Sequence, residues 1–191
     1  MKHFLLFIIF LIPAFTFAQT AVPIDKKTGH IVYTGVVDAK GVSQSELYLR
    51  MKAFYYTYSA GENAIQLESD DTGRLSGKAF TDIIVDDGIT TEKQRLWYTL
   101  AIELGDGKFR YELTDFSMQR YCIPARPVAC EMQTKLVAAE AIIKPAKKGK
   151  RKVDSNPYSP ENALEKTASS IVAVMKESAL SERRIASSKN Q

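Results

Sequence analysis

Residues 97–116 read Trp-Tyr-Thr-Leu-Ala-Ile-Glu-Leu-Gly-Asp-Gly-Lys-Phe-Arg-Tyr-Glu-Leu-Thr-Asp-Phe. Two alternating stretches meet at Asp106-Gly107, a dipeptide that supplies the positive backbone angles of a two-residue hairpin turn. With Gly105 opposite Lys108, the pairs outward are Leu104–Phe109, Ile102–Tyr111 and Leu100–Leu113 on one face. Glu103–Arg110, Ala101–Glu112 and Thr99–Thr114 fall on the other. A slip of one residue would set leucine against charge at every step, so the register is well specified. Counted further, the same register places Trp97 opposite Phe116 at the far end of the polar face. There the two rings form a candidate contact patch, because an exposed aromatic patch marks binding.

Upstream, Ile31 to Val37 is β-branched and aromatic and reads as a first strand. Ser43-Gln44-Ser45-Glu46 is a capping box that opens a helix whose apolar stripe is Leu47, Met51, Phe54, Tyr55 and Tyr58, closed by Gly61. Ala64 to Asp70 and Arg74 to Ile84 read as a second hairpin around Asp71-Thr72-Gly73, with Ile65 opposite Ala79 and Leu67 opposite Gly77. Asp86 to Arg95 reads as a polar loop. Downstream, Glu131 to Ile143 is an Ala-rich short helix ended by Pro145. Ser159 then caps a last helix with Pro160 at its first position and Leu164, Ala168, Ile171, Val172, Met175 and Ala179 as its stripe. The fold class is therefore α+β in the order β-α-β-β-β-β-α. It forms one curved antiparallel five-stranded sheet of order 2-3-4-5-1, with the helices on one face.

The division along the chain is a signal peptide at 1–18, a domain core at 19–121, and a linker at 122–158. A packing helix at 159–180 and a frayed tail at 181–191 follow. The opening has Lys2 and His3 before an apolar run from Phe4 to Ala18 that ends in small residues, the pattern of a secretory leader cleaved near Ala18. That run is too short to span a bilayer, so the mature chain has no transmembrane segment and is secreted or periplasmic. In that oxidising setting Cys122 and Cys130 are expected to form a disulfide. Closing their nine-residue loop is worth about 2.5 kcal/mol in chain entropy. Lys144, Lys147, Lys148, Lys150, Arg151 and Lys152 are a concentrated basic run, read as a solvated segment whose alternative role is anion binding on acidic polysaccharide or lipid headgroups.

The inventory argues against catalysis. Past the leader only His30 and two cysteines remain, too few for a histidine-based triad or a typical zinc site. No phosphate-cradling glycine loop is present, and Asp86-Asp87-Gly88 lacks calcium-loop spacing. No cofactor is expected.

The residues Thr28-Gly29-His30-Ile31-Val32-Tyr33, Gly41-Val42-Ser43 with Glu46-Leu47-Tyr48, and Ile65-Gln66-Leu67 with Gly77 resemble a family of secreted bacterial domains of unknown function. That family is described as having a TATA-binding-protein-like fold. The resemblance spans about residues 22–120 and implies strand, helix, four strands, helix; it carries no functional residue. Nucleic acid is not expected as a partner, because the hairpin face holding Glu68, Lys78, Glu103, Arg110 and Glu112 lacks the positive surface that phosphate requires. The leading expectation is an exported non-enzymatic domain that binds a protein or small ligand outside the cytoplasm. The alternative is a small apolar-ligand binder with a cavity between the sheet and the Ser159 helix. A hydrolase built on paired carboxylates is a third reading.

Overall fold

The computed structural model describes residues 22–58, 65–86, 88–121, 135–143 and 156–181. The leader, the Cys122–Cys130 loop and the basic run lie outside the described residues. The elements are β1 (Tyr33–Asp38), α1 (Gln44–Tyr58), β2 (Ile65–Ser69), β3 (Arg74–Asp86), β4 (Thr91–Gly105) and β5 (Lys108–Arg120). A short β6 (Val137–Ala138), α2 (Ala139–Ile142) and α3 (Pro160–Leu180) complete them. All pairs are antiparallel, in the order β1-β5-β4-β3-β2. This is the expected path with one addition. Within the stretch read as an Ala-rich helix, Val137 and Ala138 pair with Met118 and Ser117, and among the described residues of that stretch Ala139–Ile142 is helical.

The Asp106-Gly107 hairpin pairs as expected from Gly105–Lys108 out to Thr99–Thr114. Beyond that point the expectation fails. Trp97 lies opposite Ser117, with a bulge between Trp97 and Thr99. Asp115 has φ 54°, a left-handed conformation that aspartate tolerates better than most residues. Asp115 and Phe116 together oppose Tyr98, and the extra residue reverses the facing of the rest of β5. Phe116 and Met118 thus join the core at 1% and 2% exposure, and Ser117 and Gln119 take the outer face. Phe116 meets Tyr33 edge-on, with ring centroids 5.7 Å apart.

Two further registers differ. The second hairpin pairs Ser69 with Arg74 and Ile65 with Gly77, with an irregularity between Ile65 and Leu67. Its loop is Asp70 to Gly73, four residues closed by Gly73 N–H to the Asp70 carbonyl at 3.0 Å. Glu68 consequently turns to the helix side, where Tyr48 donates to it at 2.9 Å and Lys52 pairs with it. The stretch read as a polar loop at 86–95 belongs largely to β4, which pairs with β3 from Asp86–Thr91 through Arg74–Glu103. Its inward position 94 is a buried glutamine, so apolar alternation is missing there. Gln94 donates to Glu92 at 2.7 Å, and Glu92 meets Arg120 at 2.7 Å.

Helices α1 and α3 cover one face of the sheet. Leu47, Tyr48, Met51, Phe54 and Tyr55 of α1 are buried, with Tyr48 replacing Tyr58 in the expected stripe. Ser43 caps α1 by accepting from Glu46 N–H at 3.3 Å. Ser159 caps α3 by accepting from Asn162 N–H, and Ala163, Leu164, Ala168, Ile171, Met175 and Ala179 face inward. The second face of the sheet has no helix over it among the described residues.

Gly73 is doubly constrained. It has φ +62°, and a Cβ there would stand 2.6 Å from the Leu104 carbonyl oxygen. Gly73→Ala is expected to cost about 2–4 kcal/mol from backbone strain plus overpacking. Gly88→Ala, at φ +86° with open space around it, is expected to cost only about 1–2 kcal/mol. Urea unfolding of the two variants measures the difference; equal losses would remove the contact with Leu104 from the account.

Candidate functional site

The face of the sheet that no helix covers among the described residues is built from alternate residues of β3, β4 and β5, and its composition changes along the strands. Near the Asp106 turn it is a lattice of small and charged side chains, with Arg74 and Glu103 paired at 3.3 Å. At the opposite end the cross-strand pairs are Phe80–Trp97 and Asp82–Arg95 between β3 and β4, and Arg95–Gln119 and Trp97–Ser117 between β4 and β5. The Phe80 and Trp97 ring centroids are 4.8 Å apart, inclined at 51°. Arg95 lays its guanidinium over Phe80 at 3.8 Å, with Tyr121 at 5.3 Å and Trp97 at 5.7 Å. Such contacts hold a planar cation in place without fully dehydrating it.

Hydrogen bonds fix the rest of the cluster. Trp97 Nε1 donates to Gln119 Oε1 at 2.9 Å, which orients the indole. Tyr121 donates its hydroxyl proton to Asp82, and Lys93 stands 2.8 Å from the same carboxylate. The hydrogen bond from Lys93, then that from Tyr121, hold the Asp82 carboxyl below the usual carboxylate range. Arg95 Nε is 3.9 Å from Asp82 and, although buried, has no hydrogen-bond acceptor among the described residues. Ile84 on β3 is exposed. Leu136, exposed at 53%, lies one step beyond the Met118–Val137 pair, in line with Gln119. The result is a rigid aromatic and aliphatic surface with Arg95 at its middle.

Of the two patch residues expected from the sequence, Trp97 is present and Phe116 is not. Sequence reasoning missed Phe80, Arg95 and Tyr121, and the signal for them was faint. Phe80 breaks a polar series on β3, and Arg95 lay in the presumed loop. The charge balance of the face also changes. Glu68 leaves it, and Arg74, Lys93, Arg95 and Lys108 join Lys78 and Arg110 on the outward positions. Asp38, Asp82, Asp115, Glu103 and Glu112 oppose them, so the face stays near balance.

A second concavity lies at the margin of the sheet. A cleft of about 370 Å³ opens between β3, the end of α1 and the first half of α3. Its walls include Tyr58, Ile83, Tyr98, Tyr158, Lys166 and Ile171. This is where the sequence placed an apolar cavity, but the cleft opens to solvent and its α3 wall carries Lys166, Thr167 and Ser170. No group of three or more potential metal ligands occurs among the described residues, and no described helix is long and apolar enough to cross a membrane.

Comparison with known proteins agrees with the fold. Residues 33–119 match a family described as a domain of unknown function (DUF4468) with TBP-like fold. The chain is similar to the crystal structure of a TBP-like protein from Parabacteroides distasonis, at TM-score 0.60 and 16% identity, covering 84% of this chain and 97% of that one. It is also similar to a DUF4468 family protein from Bacteroides ovatus, at TM-score 0.58 and 15% identity, covering 80% and 90% of the two chains. At such identities the likeness speaks for the fold alone. No curated protein matches the chain.

Proposed function

This chain has the TBP-like fold of the DUF4468 family, and on that premise we propose that it is an exported, non-enzymatic interaction domain whose contact surface is the Trp97 end of the open sheet face. The observation that carries the reading is Arg95 stacked on Phe80 beside Trp97 and Tyr121, on a face no described element covers. Protein interfaces are enriched in tryptophan, tyrosine and arginine, and the residues that dominate binding energy are drawn from the same set. Here those side chains are already oriented by hydrogen bonds, so little rotamer freedom is lost on contact. The cationic, apolar start of the sequence supports export. The near-balanced face argues against nucleic acid, whose phosphates call for a clear positive excess. A fold name imports no activity.

The test compares wild-type protein with the Phe80→Ala/Arg95→Glu/Trp97→Ala variant, each expressed in the native host and purified under mild conditions. The expected result is loss of the co-purifying partner from the triple variant and its retention in Arg74→Gln, which alters the other end of the same face. Partner retention by the folded triple variant would place the contact elsewhere.

A further inference from the structure

On the sheet face opposite the helices, the half nearest the Asp106 turn consists of described residues throughout. The connections at this end, 39–43, 70–73 and 106–107, are all described. Tyr121, the last described residue after β5, lies nine residues beyond Glu112, about 30 Å at the rise of a strand. Two outward rows cross four strands here. One is Val36–Arg110–Glu103–Arg74, and the next is Thr34–Glu112–Ala101–Ser76.

The rows differ in height. In the first, Val36 is 62% exposed and the three charged side chains are exposed with it. The second is short except at Glu112. A hollow of about 340 Å³ lies over its Ala101, bordered by Thr34, Glu103, Arg110 and Glu112. Glu103 pairs with Arg74 at 3.3 Å and not with Arg110, which stands opposite it in the register. Arg74 and Arg110 balance Glu103 and Glu112, so these rows call for no charged polymer as partner.

Their pattern is complementary to itself. Consider a two-fold axis in the plane of contact, crossing the strands level with Gly35, Tyr111, Ile102 and Leu75. It turns a second copy face to face with the first and sets each tall row on the other copy's short row. Arg110 then meets Glu112 of the partner subunit, and Glu112 meets Arg110 of the partner subunit. Glu103, already held by Arg74, enters the partner's hollow over Ala101. Arg74 comes to lie over the partner's Ser76 and Val36 over the partner's Thr34. An isologous interface requires this reciprocity, in which each contact is made twice.

We infer that this half of the face pairs two copies of the chain, with strands antiparallel across the contact and the Arg110–Glu112 pair formed twice. With one further outward row on each side, the patch measures about 19 by 27 Å at ordinary strand and residue spacings. The pair therefore buries about 1,000 Å² in all, at the lower limit for a specific interface. It is a dimer that dissociates on dilution. The pairing goes beyond the contact surface proposed above and leaves it accessible. Trp97 falls level with the partner's Asp106 turn and Arg95 lies past it, so the dimer presents two such clusters at opposite ends.

Sedimentation equilibrium of the mature chain, from low micromolar to submillimolar concentration, tests this. A monomer–dimer equilibrium is expected. Arg110→Glu and Glu112→Arg should each weaken it by about tenfold or more, because each sets like charges together twice. The exchange Arg110→Glu/Glu112→Arg should bring it back to within about threefold of wild type. Ala101→Glu closes the hollow against Glu103 and should weaken the dimer by about tenfold or more as well. These positions face outward, so circular dichroism should match wild type in every variant. Arg95→Glu, from the other end of the face, should leave the dimer unchanged. A chain that stays monomeric throughout overturns the inference. So does a dimer that survives the single reversals or Ala101→Glu, or an exchange that fails to restore it. A dimer lost only in Arg95→Glu also overturns it, by moving the contact to the Trp97 end.

Discussion

Phe116→Ala should cost about 3–5 kcal/mol of stability, and Trp97→Ala no more than about 1 kcal/mol. In a strictly alternating β5 the two rings would share one surface and their losses would be similar. The bulge at Asp115 separates them: Phe116 is 1% exposed against Tyr33 and Tyr98, whereas Trp97 lies half-buried on the other face. Removing the Phe116 ring leaves a cavity beside Tyr33 and Tyr98, in strands whose ladders on either side of the bulge limit how far the site can collapse. Deleting Asp115 is the sharper variant. It would remove the bulge and restore simple alternation with Phe116 and Met118 still facing inward, opposite Tyr98 and Leu96, so its cost should be below that of Phe116→Ala. Urea unfolding monitored by circular dichroism measures all three. A Trp97→Ala loss equal to that of Phe116→Ala, or an Asp115 deletion as costly as Phe116→Ala, would remove the bulge from the account.

The same bulge shows what this sequence discloses and what it withholds. From Leu96 to Leu104 the inward residues of β4 keep one parity without a break. Along β5 they are Phe109, Tyr111 and Leu113, then Phe116 and Met118, so the parity changes once. Asp115 sits at the change and is one of the few non-glycine residues suited to positive φ. That phase break was legible, and counting from the turn alone passed over it. The sheet order and both long helices were readable because caps, turns and apolar periodicity agree there. The start of β4 was not, because its inward positions are Glu92 and Gln94, satisfied by each other and by Arg120. A polar cluster of this kind reads in sequence as loop. The cluster around Arg95 needed the three-dimensional register of β3 on β4, which no local pattern supplies.

Alkaline pH should unfold the protein between about pH 10 and 12, through its buried tyrosines. Tyr98 is buried on β4 and its hydroxyl is pushed up to about 12, by burial first and then by nearby Tyr58. Tyr48 is likewise pushed up to about 12, by burial and then by its hydrogen bond to Glu68. Burial raises Tyr55 further, and its hydroxyl donates to the Leu100 carbonyl. Burial raises Tyr111 as well. In each case the folded state favours the neutral phenol, whereas the unfolded chain ionises near pH 10. Below that value both states are protonated and the stabilisation is fully present. Above it the unfolded state loses protons that the folded state retains, and stability falls by about 1.4 kcal/mol per pH unit for each such tyrosine. Tyr98 alone forfeits about 2.7 kcal/mol by pH 12, and Tyr55 forfeits at least as much. Together they remove about 5 kcal/mol, comparable to the whole stability of many domains. Simultaneous records of tyrosinate absorbance and far-ultraviolet circular dichroism provide the measurement. Buried Tyr48, Tyr55 and Tyr98 should ionise together with loss of helix signal. Tyr98→Phe should move the alkaline midpoint upward, since its ring stays and its ionisable hydroxyl goes. Ionisation of every tyrosine near pH 10 with the dichroism intact would mean that these hydroxyls are not buried as described.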